Sequence, residues 1–267
     1  MLEQFHLFTG KGGVGKTLLS LAYAYHLTQM GKKVVHLSLE PNTSKFIDSL
    51  GIKEFSHRVL DLNESSFHYI TRKLGKVVAT LITHAPFYKA VFDMVPGMGH
   101  IVSLGQIIDY LDEEKETYFI LDAPSSGHVL TMFQSLDFFG DIFSSGIIFN
   151  DIQKMKKTLQ DQQRWKIHLI SLPQSMPLQE TKELATQIEQ IFPHQYELIF
   201  NSCWSEVKEL TEHQSSLHEH LAKKYQMEEN LLKTIPSDSL RIPFILEEDP
   251  LKIIKEISLL FAKGENQ

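Results

Sequence analysis

Residues 10–17 read Gly-Lys-Gly-Gly-Val-Gly-Lys-Thr and place a glycine-rich turn between a short apolar run and a helix-like pattern. The turn matches the pattern G-x-x-x-x-G-K-[ST] at Gly10, Gly15, Lys16 and Thr17. Because glycine has no Cβ, the backbone N–H groups of such a turn can approach phosphate oxygens, and the following helix adds the positive end of its dipole. The sequence therefore predicts a strand, a phosphate-binding loop and a helix, in that order.

The loop also predicts which nucleotide contacts form. Lys16 can reach the β- and γ-phosphates, and the Thr17 hydroxyl can bind Mg²⁺. We therefore expect ATP or ADP with Mg²⁺ as the bound cofactors. The residues predicted to surround the phosphates are Gly10, Lys11, Gly12, Gly13, Val14, Gly15, Lys16, Thr17 and Leu18.

Strand-like runs are followed repeatedly by helix-like runs, which is typical of a doubly wound α/β fold with a mostly parallel sheet and helices on both faces. We predict a single P-loop domain over residues 1–267, with a helical elaboration at about 63–115. The predicted strands are Phe5–Thr9, Lys33–Leu39, Val59–Leu62, Thr117–Leu121, Lys166–Ser171, Tyr196–Phe200 and Leu231–Ile235. The predicted helices are 15–30, 42–50, 65–83, 101–111, 147–162, 177–191, 205–227 and 250–262.

Polar residues follow several predicted strands, at the sheet edge where ligands bind in doubly wound folds. Asp122 ends one strand, and we predict that it holds Mg²⁺ through water, because Mg²⁺ keeps several of its waters. Glu40 follows the second strand, and Asn201 follows the strand Tyr196–Phe200. The alternative roles are a helix cap for Asp122, a helix-entry residue for Glu40 and a turn residue for Asn201.

Three stretches carry a family resemblance. Lys11 adds a second lysine to the loop, and G-K-G-G-V-G-K-T resembles the deviant Walker A loop of a group of dimeric ATPases. That group includes arsenite-pump, tail-anchored-protein-targeting, partition and septum-positioning ATPases and the nitrogenase iron protein. Asp122–His128 resembles the D-T-A-P-T-G-H motif of the arsenite-pump and tail-anchored-targeting branch, and Ser171–Thr181 is similar to its T-x-P-E-x-L-P-x-x-E-T stretch.

The resemblance implies a cytoplasmic, Mg-dependent ATPase that works as a nucleotide-gated homodimer, with an unknown protein client or membrane partner. In that family the extra lysine crosses the dimer interface, so Lys11, Lys16 and Glu40 are the catalytic candidates. The family's first switch has an aspartate that positions the attacking water, and Glu40 takes its place with one more methylene. The family also implies that Asn201 recognises adenine and that Ile235–Asp238, an I-P-x-D turn, brings Pro236 and Ser237 to the nucleotide.

Composition excludes several other functions. The net charge of −7 argues against sequence-independent DNA binding, so we expect no nucleic-acid partner. No apolar run is long enough for a transmembrane segment, and the N-terminus lacks a signal-peptide pattern, which favours a cytoplasmic location. The single cysteine, Cys203, cannot supply the clustered thiolates of an arsenite site, paired C-x-x-C zinc ligands or a shared iron–sulfur cluster.

Two other functions remain open from sequence. One is a partition or septum-positioning ATPase acting on the nucleoid or a membrane surface, and the other is a P-loop small-molecule kinase. The apolar residues of 67–104 predict either a client groove or core packing. The C-terminal helix predicts either packing on the sheet or membrane contact.

Overall fold

The computed structural model describes residues 3–85, 97–124, 126–161, 163–192, 196–207, 219–236 and 239–264. In this part of the chain, seven strands form one parallel sheet in the order β3-β2-β4-β1-β5-β6-β7. The strands are β1 (Phe5–Gly10), β2 (Lys33–Ser38), β3 (Ser56–Val59), β4 (Thr117–Asp122), β5 (Trp165–Ser171), β6 (Tyr196–Cys203) and β7 (Leu240–Pro243).

Helices connect most of these strands. They are α1 (Lys16–Gln29), α2 (Pro41–Leu50), α3 (Leu62–Leu74), α4 (Lys76–Thr83), α5 (Met98–Glu113), α6 (Ser126–Ile142), α7 (Gly146–Leu159), α8 (Ser175–Ile191), α9 (Glu219–Leu232) and α10 (Pro250–Gly264). A short 3₁₀ turn, Trp204–Glu206, follows β6.

Side chains alternate across β1 and build a core on each face of the sheet. Phe5 and Leu7 pack into the core formed with α5, α6, α7 and α8, whereas Phe8 packs into the core formed with α1, α2 and α10. All three are at most 2% exposed. Helices therefore cover both faces, and the prediction of a doubly wound α/β fold is confirmed.

The predicted helical elaboration contains an exposed helix, α4, and a helix that packs in the main core, α5. The predicted helix 65–83 is interrupted at Gly75, whose φ of 86° ends α3 and begins α4. Helix α5 belongs to the main core, where Leu104 is 2% exposed. Helix α4 instead exposes Val77 (75%) and Leu81 (70%) to solvent. Core packing thus holds for α5, and exposed apolar side chains occur on α4. Phe87, Phe92 and Met94 lie outside the described residues.

The last strand lies later in the chain than predicted. The strand prediction for Leu231–Ile235 is wrong, because Leu232 ends helix α9 and packs against Phe200 and Cys203. A short apolar run has no periodicity that distinguishes a strand from a helix end. Pro236 consequently precedes β7 instead of following the last strand.

Two further differences are a helix that was not predicted and a strand whose bounds are shifted. The helix α6 (Ser126–Ile142) was not predicted, although its buried residues Met132 and Phe133 belong to the core. The third strand begins and ends three residues earlier than predicted, at Ser56–Val59.

The C-terminal helix α10 packs against α1 rather than standing apart. Its buried residues Ile254, Ile257 and Phe261 are at most 4% exposed and join the core on the α1 face. Packing on the sheet, the first of the two predicted alternatives, is therefore observed. Within the described ranges, none of the helices combines the length and the apolar content that crossing a bilayer requires.

Candidate nucleotide-binding site

The glycine-rich loop connects the end of β1 to the start of α1, as the sequence predicts. Gly15 caps α1 with a φ of 93°, in the left-handed region that favours glycine. A Cβ on Gly15 would collide with the amide nitrogen of Asn201, and one on Gly10 would collide with the carbonyl oxygen of Ile170. Both glycines are thus required by the backbone conformation of the loop and because β5 and β6 lie too close to the loop to leave room for a side chain.

The two lysines of the loop point to different surroundings. The Lys16 ammonium donates a hydrogen bond to the carbonyl oxygen of Lys11 at 3.0 Å and so stays within its own loop. Burial lowers the pKa of Lys16, while Asp122 and Glu40 act in the opposite direction. The Lys11 side chain is 55% exposed and pairs with Glu180 on α8, at 2.5 Å between Nζ and Oε1.

Thr17 and Asp122 form the predicted metal-binding pair. Strands β1 and β4 are adjacent, and the Thr17 hydroxyl donates to Asp122 Oδ2 at 2.6 Å. Asp122 is 7% exposed, and its Oδ1 is buried without a hydrogen-bond partner among the described residues. Burial raises the pKa of Asp122 to about 6. An oxygen donor set with one unused carboxylate oxygen fits Mg²⁺, which prefers oxygen ligands.

Glu40 lies at the entrance to the same region. It is the N-cap residue of α2, but its side chain makes no capping hydrogen bond, so the helix-entry role does not engage its carboxylate. With Lys16, Thr17 and Asp122 it lines a cavity of about 80 Å³. It also lines a cavity of about 630 Å³ that extends to His100 and His128. Glu40 and Lys16 therefore line both cavities.

Asn201 is buried at the end of β6 and is bonded to the loop. Its Nδ2 donates to the carbonyl oxygen of Val14 at 2.9 Å, and its Oδ1 accepts from the Ser202 N–H at 2.9 Å. Ser202 has a φ of 58°, the one positive φ among the described residues other than glycine. Both ends of the Asn201 amide are thus engaged by the protein chain. Recognition of adenine by Asn201 stays a prediction.

This contact gives a testable expectation for the loop. Asn201→Ala removes the donor to the Val14 carbonyl, so we expect a loss of about 1–2 kcal/mol of unfolding free energy and about tenfold weaker ATP binding. Denaturant unfolding and titration calorimetry measure the two effects. Asn201→Asp is the matched control, since it keeps the acceptor for Ser202 but loses the donor. Unchanged ATP affinity in both variants would contradict a loop-positioning role.

Sequence reasoning missed the aromatic residues of a large cleft beside the loop. The cleft has a volume of about 1060 Å³ and reaches from Gly13 to the ends of β5, β6 and β7. In its wall Trp204 stacks on Phe244 with ring centroids 4.8 Å apart, and the Lys224 ammonium lies 4.3 Å from the Trp204 ring centroid. Both aromatic residues directly follow a strand, so the strand-end rule would have found Phe244 if β7 had been placed correctly.

The structure changes one premise of the Pro236 prediction. Pro236 is exposed and lies between α9 and β7, so it precedes the last strand instead of following it, and its contact with a nucleotide stays a prediction. Ser237 lies outside the described residues. The residues that follow the last strand begin with Phe244, which lines the cleft.

Comparison with known proteins places these features in one family. The model of the family described as anion-transporting ATPase matches residues 3–144, slightly more than half of the chain. Two similar proteins of Aquifex aeolicus are named as candidate arsenical pump-driving ATPases 1 and 2. The first is 34% identical over 139 residues, which cover 45% of this chain and 35% of that protein. The second is 25% identical over 297 residues, covering 90% of this chain and 93% of that protein.

A third similar protein has a less specific name. The ATPase BagA of Mycobacterium tuberculosis is 23% identical over 211 residues, covering 70% of this chain and 62% of that protein. The family match supports the arsenite-pump type over the partition or kinase alternatives. The loop, the Thr17–Asp122 pair and the parallel sheet agree with it. The chain therefore belongs to the family of anion-transporting ATPases and is an ATP-hydrolysing enzyme.

Proposed function

We propose that the protein is a Mg-dependent ATPase that works as a nucleotide-gated homodimer, in which Lys11 of each chain stabilises charge at the nucleotide of the other. The observation that carries this proposal is the contrast between the two loop lysines. Lys16 is bonded inside its own loop, whereas the exposed Lys11 side chain is directed outward to Glu180. An exposed cation beside a phosphate loop is available to a second chain.

Within one chain, each residue has a distinct task. Lys16 would bind oxygens of the β- and γ-phosphates, and Thr17 with Asp122 would hold Mg²⁺, which neutralises phosphate charge when bound. Glu40 would orient the attacking water and receive its proton. The nucleoside would occupy the cleft that contains Trp204, next to the loop.

The switching step follows from the neighbouring strand ends. Ser38 of β2 lies opposite Asp122 of β4, so the segments that follow, at Glu40 and at Pro124, leave the sheet side by side. Both segments line the cavity beside Lys16. Loss of the γ-phosphate would release them together and change the affinity for a protein client or membrane partner.

The family name refers to anion transport, but this chain lacks the clustered thiolates of an arsenite-binding site. Both Aquifex aeolicus relatives carry the arsenical pump name, but this chain has one cysteine. Cys203 is buried, and burial raises the pKa of its thiol. A buried, protonated thiol is a poor ligand for arsenite. We therefore propose a client or cargo that is not bound by clustered thiolates.

Light scattering with matched variants tests the dimer. We expect the wild-type protein to dimerise with ATP and Mg²⁺, and Lys11→Ala to remain monomeric while binding ATP with an affinity within about threefold of wild type. Glu180→Gln frees Lys11 from an exposed ion pair, so we expect it to dimerise at a protein concentration up to about fivefold lower.

The behaviour of Lys11→Ala shows whether Lys11 acts on the nucleotide of a second chain. An ATP-dependent dimer of Lys11→Ala with wild-type hydrolysis would contradict the proposal and would favour a reaction completed within one chain. A loss of ATP binding in Lys11→Ala would instead place Lys11 at its own nucleotide.

A further inference from the structure

A chain of hydrogen bonds joins α1 to the segment that begins at Glu40. The Ser20 hydroxyl donates to the Thr17 carbonyl oxygen at 2.9 Å, and Ser20 Oγ lies 2.9 Å from His36 Nε2. His36 Nδ1 lies 3.1 Å from His57 Nδ1, its neighbour in the parallel register of β2 and β3. Ser20 and His36 are both fully buried.

The chain continues from His57 to the Glu40 backbone. His57 Nε2 lies 3.4 Å from Ser38 Oγ, and the Ser38 hydroxyl donates to the Glu40 carbonyl oxygen at 3.3 Å. Ser38 is 1% exposed, whereas His57 is half-buried. One end of the relay therefore lies at the metal-binding turn of α1, and the other lies at the candidate first switch.

Counting hydrogens fixes the direction of each bond. Ser20 has one hydroxyl hydrogen, which it gives to Thr17, so the hydrogen between Ser20 and His36 belongs to His36 Nε2. Burial lowers the pKa of His36 to about 3, so its ring is neutral and Nδ1 is an acceptor. His57 Nδ1 must then carry the hydrogen that joins the two rings.

The other nitrogen of His57 decides the state of Ser38. When His57 is neutral, Nε2 is an acceptor and competes with the Glu40 carbonyl for the one Ser38 hydrogen. When His57 is protonated, Nε2 donates to Ser38, and the Ser38 hydrogen goes wholly to Glu40.

We propose that His57 and Ser38 are positioning residues that set the Glu40 segment, with the proton on His57 Nε2 deciding how firmly Ser38 holds the Glu40 carbonyl. This inference rests on the catalytic role proposed for Glu40. The titratable groups that face His57 are His36 on β2 and Asp48 on α2, and the Asp48 charge and a hydrogen bond to the His36 backbone both act to raise the pKa of His57. Burial lowers the pKa of His57, so it titrates below its ordinary range.

Nitrogen NMR of the histidine rings tests the relay without reference to activity. In the nucleotide-free full chain at about pH 7.5, we expect a neutral His57 with hydrogen on Nδ1 and a neutral His36 with hydrogen on Nε2. The His57→Asn variant assigns the His57 signals by their loss, and its amide nitrogen stands near the former Nδ1 as a donor to His36. The opposite tautomers would overturn the proposal.

A ratio of rates tests the effect on hydrolysis. As pH falls from about 8 to about 5.5, we expect the ratio of kcat in wild type to kcat in Ser38→Ala to rise to about three- to tenfold, with KM for ATP changed less than about twofold. Asp122 also titrates near this window, but it is present in both proteins and cancels in the ratio. In a His57→Asn background we expect the same ratio to be independent of pH.

The controls keep the two claims separate. A ratio that is flat with pH in the wild-type background, or that rises equally in the His57→Asn background, would overturn the relay. Ser38→Thr retains the hydroxyl, and we expect it to restore the pH-dependent rate. Glu40→Gln tests the proposed catalytic role by itself: full hydrolysis by this variant would overturn that role, while the tautomers measured by NMR test the relay on their own.

Discussion

Lys16→Ala is expected to lower kcat/KM for ATP hydrolysis by about a thousandfold or more, because it removes the cation assigned to the β- and γ-phosphates. The Lys16 ammonium is held in the loop by the Lys11 carbonyl and lies close to the carboxylates of Asp122 and Glu40. Its charge is partly desolvated, so its attraction for phosphate is stronger than that of a surface lysine. Steady-state hydrolysis and equilibrium ATP binding measure the loss.

Lys11→Ala is the matched control in the same loop. It removes a lysine of the same length at an exposed position, so we expect ATP binding to persist while turnover falls. The comparison separates a cation that binds the chain's own nucleotide from one that acts on a second chain. Wild-type hydrolysis and binding by Lys16→Ala would show that the assignment of this loop is mistaken.

Asp122→Asn is expected to have opposite effects on activity and on the stability of the metal-free protein. Hydrolysis should fall by at least about a hundredfold, since the amide supplies one neutral oxygen where a carboxylate would hold Mg²⁺. Unfolding free energy of the metal-free variant should rise by about 1–3 kcal/mol at about pH 8, because the buried carboxylate with its unpartnered oxygen is costly when charged.

The raised pKa of Asp122 determines how its contribution to the free energy of unfolding changes with pH. The folded protein binds a proton at Asp122 up to about pH 6, whereas the unfolded chain loses it near the ordinary value of 3.8. Between these values the folded state holds more protons, so this group's contribution to stability falls as pH rises. The stabilisation by Asp122→Asn should therefore be largest above about pH 6 and vanish near about pH 4.

Asp151→Asn provides a control for a buried carboxylate that is already paired. Asp151 is 8% exposed and bonds to Lys73 and Tyr69, so its neutralisation should destabilise the metal-free protein while leaving hydrolysis within about twofold of wild type. Chemical denaturation across the pH range measures both variants. A fall in stability on Asp122→Asn at about pH 8 would contradict the inference that burial makes the charged Asp122 carboxylate unfavourable in the metal-free protein.

Local sequence was sufficient to predict structure where a sequence pattern was long or chemically specific. The glycine-rich loop predicted its own strand and helix because Gly10 and Gly15 stand where a side chain would collide with neighbouring strands. The alternation of strands and helices predicted the parallel sheet, since buried strands read as continuous apolar runs. Asp122 was predicted from its place at a strand end, and its contact with Thr17 follows from the adjacency of β1 and β4.

The sequence was insufficient to assign short segments that fit either a strand or the end of a helix. Leu231–Ile235 has the composition of a strand, but its leucines complete the buried face of α9. This error placed the end of the last strand just before Pro236 and left Phe244 unidentified. Only the packing of α9 against β6 distinguishes the two assignments, because five apolar and polar residues have no measurable period of their own.

The sequence by itself determined the loop, the alternation of strands and helices and the residue types that can bind phosphate and metal, because these depend on local backbone freedom and side-chain chemistry. Only the tertiary structure decided that Lys11 pairs with Glu180, that Asn201 is bonded to the loop, and that His36 and His57 connect α1 to Glu40. Each of these contacts joins residues on different strands, helices or loops. Their distances depend on sheet order and register, which local sequence patterns do not encode.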